Sequence, residues 1–462
     1  MKKIALVFPR FRYPSGELPT GLATIAAYVR EQIRDIEIDL IDTSFSPTFQ
    51  YIDTRLARFK PDITGIYMDV LLAPNALKAA GLAKRHGSMV IAGGPHATMA
   101  AANIIREENI DAVCLGEGEI TFKEYVEAYY RGKDFSAVPG IWYKDQGLVH
   151  RNPPRPMIHN IDDLPSPAFD LFDMEQYIAH FFQLDSWRPG ARGISLTVSR
   201  GCPYDCAFCQ PTVREVLGRK VRIRSPEQVI DDIQYLQKKY AIDSFFFADD
   251  LIAVVPGWLE RFSEELMRRN IQIAWACNTR VDTIDEATLK NMKAAGLVKI
   301  KIGIESVTDR IRNGIYAKKI DRNDIGRLIE CAREMGIQVF GFFMLGAPTE
   351  TAREVWETIR FAARSGLTEA LFSVTTPTPG SKLFDDLVAG GWTPPTNLDD
   401  YDFNRVKRPK MSRGEISPLL LALFRKVAYI YFYLHPARIR TTVRSFNSPG
   451  GIKKLILKIR RI

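Results

Sequence analysis

The sequence lacks two features that would place a chain in a membrane or in an oxidising compartment. No stretch of about 18 or more uncharged apolar residues occurs, because the nearest one, residues 419–434, is interrupted by Arg425 and Lys426. We therefore expect no membrane-spanning helix. The six cysteines show no paired framework of the secreted kind, and three of them crowd into residues 202–209. The sequence thus predicts a cytoplasmic protein with one cysteine-ligated centre.

Acidic residues are almost absent from the end of the chain. Residues 411–462 contain 11 Lys and Arg but one acid, while the rest holds 52 basic and 53 acidic side chains, so all of the chain's positive excess, a net charge of +9, comes from this region. Within residues 452–462, apolar side chains share one helical face, which is typical of an interfacial helix. We expect peripheral contact with the inner face of an anionic membrane, or else a helix packed on the protein or a frayed terminus. Residues 429–433 form an apolar run rather than a base-stacking platform, so no nucleic-acid partner is expected.

The first 135 residues alternate short β-branched runs with amphipathic helical stretches. Strands separated by helices predict an α/β fold with a parallel, doubly wound, Rossmann-like sheet over residues 1–135. The first apolar run breaks at Pro9 after about five residues, so it fits a first strand better than a signal peptide. Glycine-containing turns stand where strands should end, at residues 14–16, 93–95 and 116–119. Because ligands of open α/β sheets bind beyond the carboxyl ends of strands, these loops are expected to form the base of one pocket.

A proline-rich, irregular segment over residues 136–190 predicts a linker between two domains. Residues 191–390 then repeat the strand and helix alternation about six times, which predicts a partial (β/α)6 barrel. Ser225 and Pro226 mark the start of one of its helices, as an N-cap hydroxyl followed by proline. Residues 391–462 are expected to form a basic, helical C-terminal region.

Three cysteines with the spacing Cys-x3-Cys-x2-Cys follow the first strand of the second series, at Cys202, Cys206 and Cys209. The carboxyl end of a barrel strand is where barrel enzymes carry their chemistry. Thiolates ligate four-iron clusters, so three local cysteines leave one iron open unless a distant cysteine completes the set. The alternatives are a zinc knuckle or three buried structural cysteines. Zinc prefers four nitrogen or sulfur ligands, and no His or further Cys lies nearby.

The motif, with Phe208 before its last cysteine, matches the signature of the radical S-adenosylmethionine (SAM) superfamily. The resemblance implies a [4Fe-4S] cluster on Cys202, Cys206 and Cys209, whose open iron chelates the amino and carboxylate groups of SAM. An electron, supplied by a reductase such as flavodoxin or ferredoxin, would then split SAM into methionine and a 5'-deoxyadenosyl radical. That radical abstracts hydrogen from the substrate.

Further strand-end elements resemble the same superfamily in order and spacing. SAM carries an ammonium, a sulfonium, a carboxylate and a ribose diol, which converging acids and an arginine would suit. Each residue alone is more often a solvated turn or a helix cap, and their order behind the cysteine motif favours SAM binding. The predicted SAM-binding residues are Phe208, Asp249, Arg280, Glu305, Ser306 and Gly346.

The N-terminal half resembles the cobalamin-binding domain fused to radical SAM barrels in the class B methylase and anaerobic magnesium-protoporphyrin ester cyclase group. The motifs are Pro-Thr-Gly-Leu at residues 19–22, the glycine turn at 93–98 and Gly-Glu-Gly-Glu at 116–119. No Asp-x-His-x-x-Gly occurs to supply a lower axial histidine, and His96 fits a turn residue better than a cobalt ligand. Methylthiotransferases are excluded because they need further N-terminal cysteines, where only Cys114 lies. The predicted cobalamin-binding residues are Gly16, Gly93, Gly94, Gly116 and Glu117.

The resemblance implies a cobalamin-dependent radical SAM methyltransferase that acts on a carbon centre of a hydrophobic small molecule, such as a lipid, an isoprenoid, a tetrapyrrole or another secondary metabolite. One SAM would supply the methyl group through cobalamin, and a second would supply the radical. The first alternative is a cyclase or oxidoreductase with the same cofactors and no methyl transfer. The second is a non-catalytic cobalamin or tetrapyrrole sensor, which the intact cysteine triad disfavours because a binding module has no use for a reducible cluster.

Overall fold

The computed structural model describes residues 1–11, 14–209, 212–249, 251–395, 401, 416–436 and 438. The chain divides into two compact units. The first comprises Met1–Phe181, Arg200–Cys202 and Thr212–Gln228, and the second comprises Phe182–Ser199, Pro203–Pro211 and Val229–Ile462. The basic segment over residues 452–462 lies outside the described residues, so its helical face stays a prediction.

The first unit contains a seven-stranded sheet with the order β2-β1-β3-β4-β5-β6-β7. Its strands are β1 (Lys2–Phe8), β2 (Ile36–Asp42), β3 (Ile63–Tyr67), β4 (Met89–Gly93), β5 (Ala112–Cys114), β6 (Ile141–Asp145) and β7 (Leu148–Arg151). The first five are parallel, as predicted, because helices connect them. These helices are α1 (Thr20–Gln32), α2 (Phe49–Phe59), α3 (Ala73–Arg85), α4 (Pro95–Met99), α5 (Ala101–Ile104) and α6 (Gly118–Tyr130).

Strand β1 lies inside this sheet, between β2 and β3, and is part of the buried core. The β1 residues Ile4, Ala5 and Val7 are fully buried, as expected for a parallel strand covered by helices on both faces. The strand order reverses between β1 and β3, which makes the carboxyl ends of these strands the switch point of a doubly wound sheet. The loops predicted to bind a ligand follow β1, β4 and β5, and therefore lie at this carboxyl edge.

The segment predicted as a linker, residues 136–190, is more ordered than its prolines suggested. Strands β6 and β7 form an antiparallel hairpin that extends the sheet, since β6 pairs with β5. Helix α7 (Met174–Ala179) follows, and the Tyr177 hydroxyl donates to the Asp42 carboxylate at 2.6 Å. The first unit thus runs to Phe181, because these elements pack on the sheet rather than away from it.

The second unit is built on a six-stranded parallel sheet with the order β15-β14-β13-β12-β11-β8, which is the predicted half-barrel. A separate short pairing joins β9 (Ser199–Arg200) to β10 (Arg222–Ile223). The six strands are β8 (Gly193–Leu196), β11 (Ser244–Phe247), β12 (Ala274–Thr279), β13 (Leu297–Glu305), β14 (Gln338–Leu345) and β15 (Glu369–Val374).

Helices alternate with these strands. They are α8 (Pro226–Tyr240), α9 (Trp258–Arg268), α10 (Glu286–Ala294), α11 (Arg322–Glu334), α12 (Ala352–Arg364) and α13 (Lys382–Ala389). Helix α8 begins at Pro226, as Ser225 and Pro226 predicted. The core between sheet and helices is aromatic, with Phe245 stacked on Trp275 at a centroid distance of 6.0 Å.

The apolar run over residues 419–434 forms helix α14 (Pro418–Tyr433), which packs against α12 and β15. The Arg425 side chain is buried there, and its Nε donates to the Phe372 carbonyl oxygen at 3.2 Å. The arginine that interrupts the apolar run is therefore hydrogen-bonded to the backbone of β15. Among the described residues, no helix combines the length and the apolar character needed to cross a bilayer.

Candidate active site

The cysteine loop follows β8 and β9 at the carboxyl end of the half-barrel's first strand. The side chains of Cys202, Cys206 and Cys209 are all partly exposed. By contrast, burial raises the pKa of the thiols of Cys114 and Cys277 to about 12. Metal ligation requires a thiolate that ions can reach, so the loop cysteines have the better donor chemistry. Within the described ranges no three His, Cys, Asp or Glu side chains are grouped as ligands of a single metal ion, so the cluster ligands stay a prediction.

Phe208 anchors the last part of the cysteine loop. Its ring meets the ring of Tyr316 edge to face at a centroid distance of 5.3 Å, and the Lys318 ammonium lies 5.8 Å from the Phe208 ring centroid. The backbone of Ala207 is held on both sides, since its N–H donates to Tyr316 O at 2.9 Å and its oxygen accepts from Leu383 N at 2.8 Å. The aromatic residue of the motif therefore packs the loop onto the half-barrel.

Arg280, at the end of β12, lies beside the cysteine loop. Its Nη1 is 3.9 Å from the Cys206 sulfur, and its guanidinium stacks over the Tyr204 ring at 3.8 Å from the centroid. Asp282 orients this guanidinium through two bonds of 2.9 and 2.8 Å, and Lys318 O accepts a third at 3.0 Å. Arg280 is therefore a fixed cation beside the sulfur of one predicted cluster ligand.

Glu305, at the end of β13, is buried in an ion pair with Lys318, whose Nζ is 2.6 Å from Glu305 Oε1. The backbone of Glu305 has a positive φ of 62°, which is uncommon for a residue other than glycine and occurs often at functional sites. A Cβ at Gly303 would lie 2.3 Å from Lys318 Nζ and 2.5 Å from Glu305 Oε1, so a larger residue there would disturb this ion pair. Sequence reasoning missed Lys318, which carries no motif of its own.

Ser306 and Asp249 serve the local backbone in this structure. The Ser306 hydroxyl lies 3.2 Å from Thr358 Oγ1 and accepts from Thr308 N at 3.2 Å. The buried Asp249 carboxylate accepts from Val198 N at 2.9 Å and from the Ser199 hydroxyl at 2.6 Å. Asp249 therefore holds the segment that leads into the cysteine motif, and its role toward SAM stays a prediction.

Gly346 lies in a tight turn after β14, with a positive φ of 83° and the Leu421 side chain 2.4 Å from where its Cβ would stand. The amides of Gly346 and Ala347 donate to Glu350 Oε2 at 2.6 and 2.9 Å. The other oxygen, Glu350 Oε1, is buried without a hydrogen-bond partner among the described residues. Burial raises the pKa of Glu350 to about 7, so this carboxyl group can hold a proton at neutral pH. The sequence motif contained Glu350 but did not single it out.

The glycines predicted to bind cobalamin shape the carboxyl edge of the first sheet. Gly94 has a φ of 100°, and a Cβ there would stand 2.9 Å from Met68 O. A Cβ at Gly16 would stand 2.7 Å from His180 O, whereas Gly116 has no atom within 4 Å of that position. A Cβ at Gly93 would stand 3.7 Å from Cys114 Cβ, which is an ordinary van der Waals distance. Gly116 therefore leaves room for a ligand to contact the backbone directly.

The sequence predicted His96 as a turn residue that bonds its own loop, but His96 is the second residue of helix α4. Its backbone N–H donates to Met68 O at 3.0 Å, within the loops at this edge. Burial lowers the pKa of the imidazole, and the nearby Asp69 carboxylate offsets this lowering only in part. The neutral imidazole is therefore the form expected at pH 7.

Glu117 is engaged by three groups in the first unit. Arg200 Nη1 lies 2.7 Å from Oε1, Arg222 Nη1 lies 2.8 Å from Oε2, and Ile158 N donates to Oε2 at 2.7 Å. Burial alone would raise the pKa of Glu117, but the bonds from Arg222 and Arg200 outweigh it and the net pKa is lowered. Arg200 also pairs with Glu119. Sequence reasoning predicted Glu117 as a cofactor contact and missed its arginine partners.

Comparison with protein families identifies two matches. The model described as the radical SAM superfamily matches residues 196–362, and the B12 binding domain matches residues 14–126. An uncharacterized methyltransferase of Pyrococcus horikoshii is 34% identical over 427 residues, which cover 90% of this chain and 88% of that protein. The anaerobic magnesium-protoporphyrin IX monomethyl ester cyclase of Rubrivivax gelatinosus is 27% identical over 426 residues, covering 90% and 72%.

Solved structures share the fold at lower identity. The radical SAM methyltransferase TsrM from Kitasatospora setae, with cobalamin and a [4Fe-4S] cluster bound, has a TM-score of 0.70 and 18% identity, over 86% of this chain and 76% of that chain. The cobalamin-dependent SAM radical enzyme OxsB has a TM-score of 0.66 and 21% identity, over 84% and 56%. These likenesses support the α/β architecture derived above.

Proposed function

We propose that this chain, which belongs to the radical SAM superfamily and carries a B12-binding domain, is a cobalamin-dependent methyltransferase acting on a carbon centre of a hydrophobic small molecule. One structural observation carries the proposal: a partly exposed cysteine loop at a strand's carboxyl end has the Arg280 cation 3.9 Å from Cys206. The same chain holds a doubly wound sheet whose glycine loops suit a large ligand. The methyltransferase of Pyrococcus horikoshii supports the reaction class.

When bound, a [4Fe-4S] cluster would supply the electron that cleaves SAM, and cobalamin would carry a methyl group to the substrate. Cys202, Cys206 and Cys209 would hold the cluster, with the Arg280 cation beside Cys206. The carboxylate of Glu305, fixed by Lys318, would accept hydrogen bonds from the ammonium or ribose of SAM. Glu350 would keep a proton inside the half-barrel.

Labelled SAM tests the reaction class. The chain is reconstituted anaerobically with iron, sulfide and hydroxocobalamin, desalted, reduced, and given SAM that carries a deuterated methyl group together with an extract of its host. A methyltransferase is expected to retain cobalamin, to form 5'-deoxyadenosine, and to transfer the deuterated methyl group to an extract component. Retained cofactors without 5'-deoxyadenosine would contradict the proposal and favour a cobalamin-binding sensor.

A second candidate reaction is ring formation without methyl transfer. The observation that favours it is the similarity to the cyclase of Rubrivivax gelatinosus over 90% of this chain. In the same experiment a cyclase would form 5'-deoxyadenosine and a product that has lost hydrogen, with no deuterium gained. The mass of the product therefore separates the two reactions.

We also propose that the chain is a cytoplasmic enzyme whose electron donor is a flavodoxin or a ferredoxin.

We further propose peripheral contact with the inner face of an anionic membrane. Support for the membrane comes from the exposed apolar face of α14, where Leu419, Ile430 and Leu434 are 75%, 58% and 61% exposed. The basic end of the chain would attract anionic lipid next to that face. Flotation with anionic vesicles should carry the protein at low salt, and failure to float at any salt concentration would remove this part of the proposal.

A further inference from the structure

A buried ionic network surrounds Glu117 at the start of α6. Its side chain is 3% exposed, and its partners Arg222 and Arg200 are 9% and 17% exposed. The carboxylate receives Arg200 Nη1 at 2.7 Å, Arg222 Nη1 at 2.8 and 2.9 Å, and Ile158 N at 2.7 Å. Removing this many charges from water costs free energy that only good geometry recovers, so the network favours one defined arrangement of its members.

Two side chains of this network, Arg200 and Arg222, are linked to the backbone next to Cys202. Arg200 stands two residues before Cys202 in the chain, and its guanidinium is tied to Glu117 and also to Glu119. Arg222 donates to Leu217 O at 2.6 Å, and the oxygen of the following residue, Gly218, accepts from Cys202 N at 3.0 Å. All of these residues belong to the first unit. The carboxylate of Glu117 thus constrains the backbone that leads into Cys202, directly through Arg200 and indirectly through residues 217–218.

Gly201, next to Cys202, packs closely against the segment over residues 217–220. Its φ is 97°, and a Cβ there would stand 2.5 Å from Lys220 O and 2.8 Å from Gly218 O. The backbone before Cys202 therefore lies directly against the segment that Arg222 holds. No side chain could be accommodated at this position without displacing one of the two strands of backbone.

We propose that Glu117 is a positioning residue for Cys202, acting through Arg200 and Arg222, and that this is its role rather than contact with cobalamin. The inference rests on the proposed function, because it treats Cys202 as a cluster ligand. Groups one step removed from metal ligands set the orientation of those ligands and typically change metal affinity about 10- to 100-fold. Ion pairs elsewhere in α6, such as Glu124 with Arg155, do not reach the cysteine loop.

The test compares three variants of the full chain with the wild type. Glu117→Gln removes the shared charge but keeps the shape of the side chain. Arg222→Lys keeps a cation beside Glu117. Its single nitrogen cannot replace both Nη1, which bonds Glu117, and Nη2, which bonds Leu217 O. Glu124→Gln is the matched control, because it removes an ion pair from the same helix away from Cys202. Each chain is reconstituted anaerobically with iron and sulfide.

Three measurements are made on each chain: the rate of iron loss to a chelator, the electron paramagnetic resonance spectrum of the reduced cluster with and without SAM, and the melting temperature without iron. We expect Glu117→Gln and Arg222→Lys to lose iron on the order of tenfold faster and to show altered spectra. Glu124→Gln should match the wild type in both. Iron loss is compared at temperatures equally far below each chain's own melting temperature, so that a general loss of stability does not account for the difference.

Wild-type iron loss and spectra in both network variants would overturn the inference, as would equal changes in Glu124→Gln. If Glu117→Gln does not fold, Arg222→Lys decides the question alone by the same measurements. A wild-type chain that assembles no cluster would instead overturn the proposed function. The two failures are therefore distinguishable.

Discussion

Carboxylates near the carboxyl edges of the two sheets have opposite electrostatic environments. In the first unit, Glu117 is buried with two arginines, and the net effect lowers its pKa. In the second unit, Glu350 is buried with two backbone N–H groups on one oxygen and, among the described residues, no hydrogen-bond partner on the other, and burial raises its pKa to about 7. The same residue type is thus held as a charge in one place and can hold a proton in the other, because two arginines bond directly to Glu117 whereas burial dominates at Glu350.

The cysteines differ in the same way. Cys206 is partly exposed and lies 3.9 Å from the cation of Arg280, whereas Cys277 is buried in β12 with a pKa raised to about 12. The buried thiol of Cys277 remains protonated, whereas the sulfur of Cys206 can be reached by a metal and has a cation beside it. Exposure and neighbouring charge, rather than residue type, therefore separate the candidate ligands from the structural cysteines.

The largest effect is expected at the cysteine loop. Cys206→Ala removes one of three predicted cluster ligands and should abolish both the brown colour of the cluster and the formation of 5'-deoxyadenosine. Cys331→Ala is the control, because Cys331 is also partly exposed but lies in α11 outside the loop. Anaerobic absorption spectra and product analysis check both variants. Wild-type cleavage of SAM by Cys206→Ala would refute the assignment of the loop.

A smaller effect is expected at Glu305, which resembles Glu117 in having a cation partner although it lies in the second unit. Glu305→Gln should weaken SAM binding by about tenfold, since a charge-assisted hydrogen bond contributes roughly 1.5–3 kcal/mol. It should also lower the stability of the chain, because Lys318 would remain buried with its charge uncompensated. Equilibrium binding of SAM to the reconstituted chain measures the first effect, and unchanged affinity would exclude Glu305 as a SAM contact.

The pH dependence of stability should distinguish Glu350 from Glu117. The pKa of Glu350 is raised from 4.5 to about 7 in the folded chain. Between these values the folded chain keeps a proton that the unfolded chain has lost, so stability falls as pH rises and the loss is complete above about pH 7. Glu350→Gln removes this dependence and should stabilise the chain by up to about 3 kcal/mol at pH 8, and by little near pH 4.5.

Glu117→Gln should show the opposite sign. The lowered pKa of Glu117 contributes stability that is present above the unfolded pKa and disappears as pH falls through the folded pKa, so the variant should be less stable at pH 7. Melting temperatures of the iron-free variants between pH 5 and 8 test both expectations. A difference between Glu350→Gln and wild type that did not change with pH would contradict the raised pKa of Glu350.

The smallest effect is expected at an ion pair in water. Lys382 and Asp386 in α13 are 65% and 57% exposed, and their pair spans one helical turn. Asp386→Asn should change the free energy of unfolding by less than about 0.5 kcal/mol, because water and salt screen exposed pairs. Chemical unfolding of the iron-free chain measures this change. A larger cost would mean that exposed pairs contribute as much as the network around Glu117.

Much of the fold followed from local pattern. The parallel strands of both sheets were predicted because such strands alternate with helices, and α8 begins at the predicted Pro226. The ordered hairpin of β6 and β7 was not predicted, because prolines near residues 153–167 obscured it. Its strands are stabilised by pairing with β5, which a local pattern cannot express.

The candidate site was predictable only in part. The cysteine triad is visible because its ligand spacing lies within eight residues, and Arg280 was identified by its strand-end position. The partners of Glu117 could not be found in this way, since Arg200 and Arg222 are 83 and 105 residues away. Lys318 was missed for a related reason, because it meets Glu305 only through the turn that follows β13.

The sequence by itself determined the order of strands and helices, the cysteine loop and the family, because periodicity and motif spacing are properties of neighbouring residues. Only the tertiary structure decided which acids are neutralised and which are not. Asp249 caps backbone amides, Glu117 binds two arginines, and Glu350 has one oxygen without a hydrogen-bond partner in the part of the chain that the structure describes. The reason is physical: the ionisation of a carboxyl group depends on burial and on nearby charges, and both are set by residues far away along the chain.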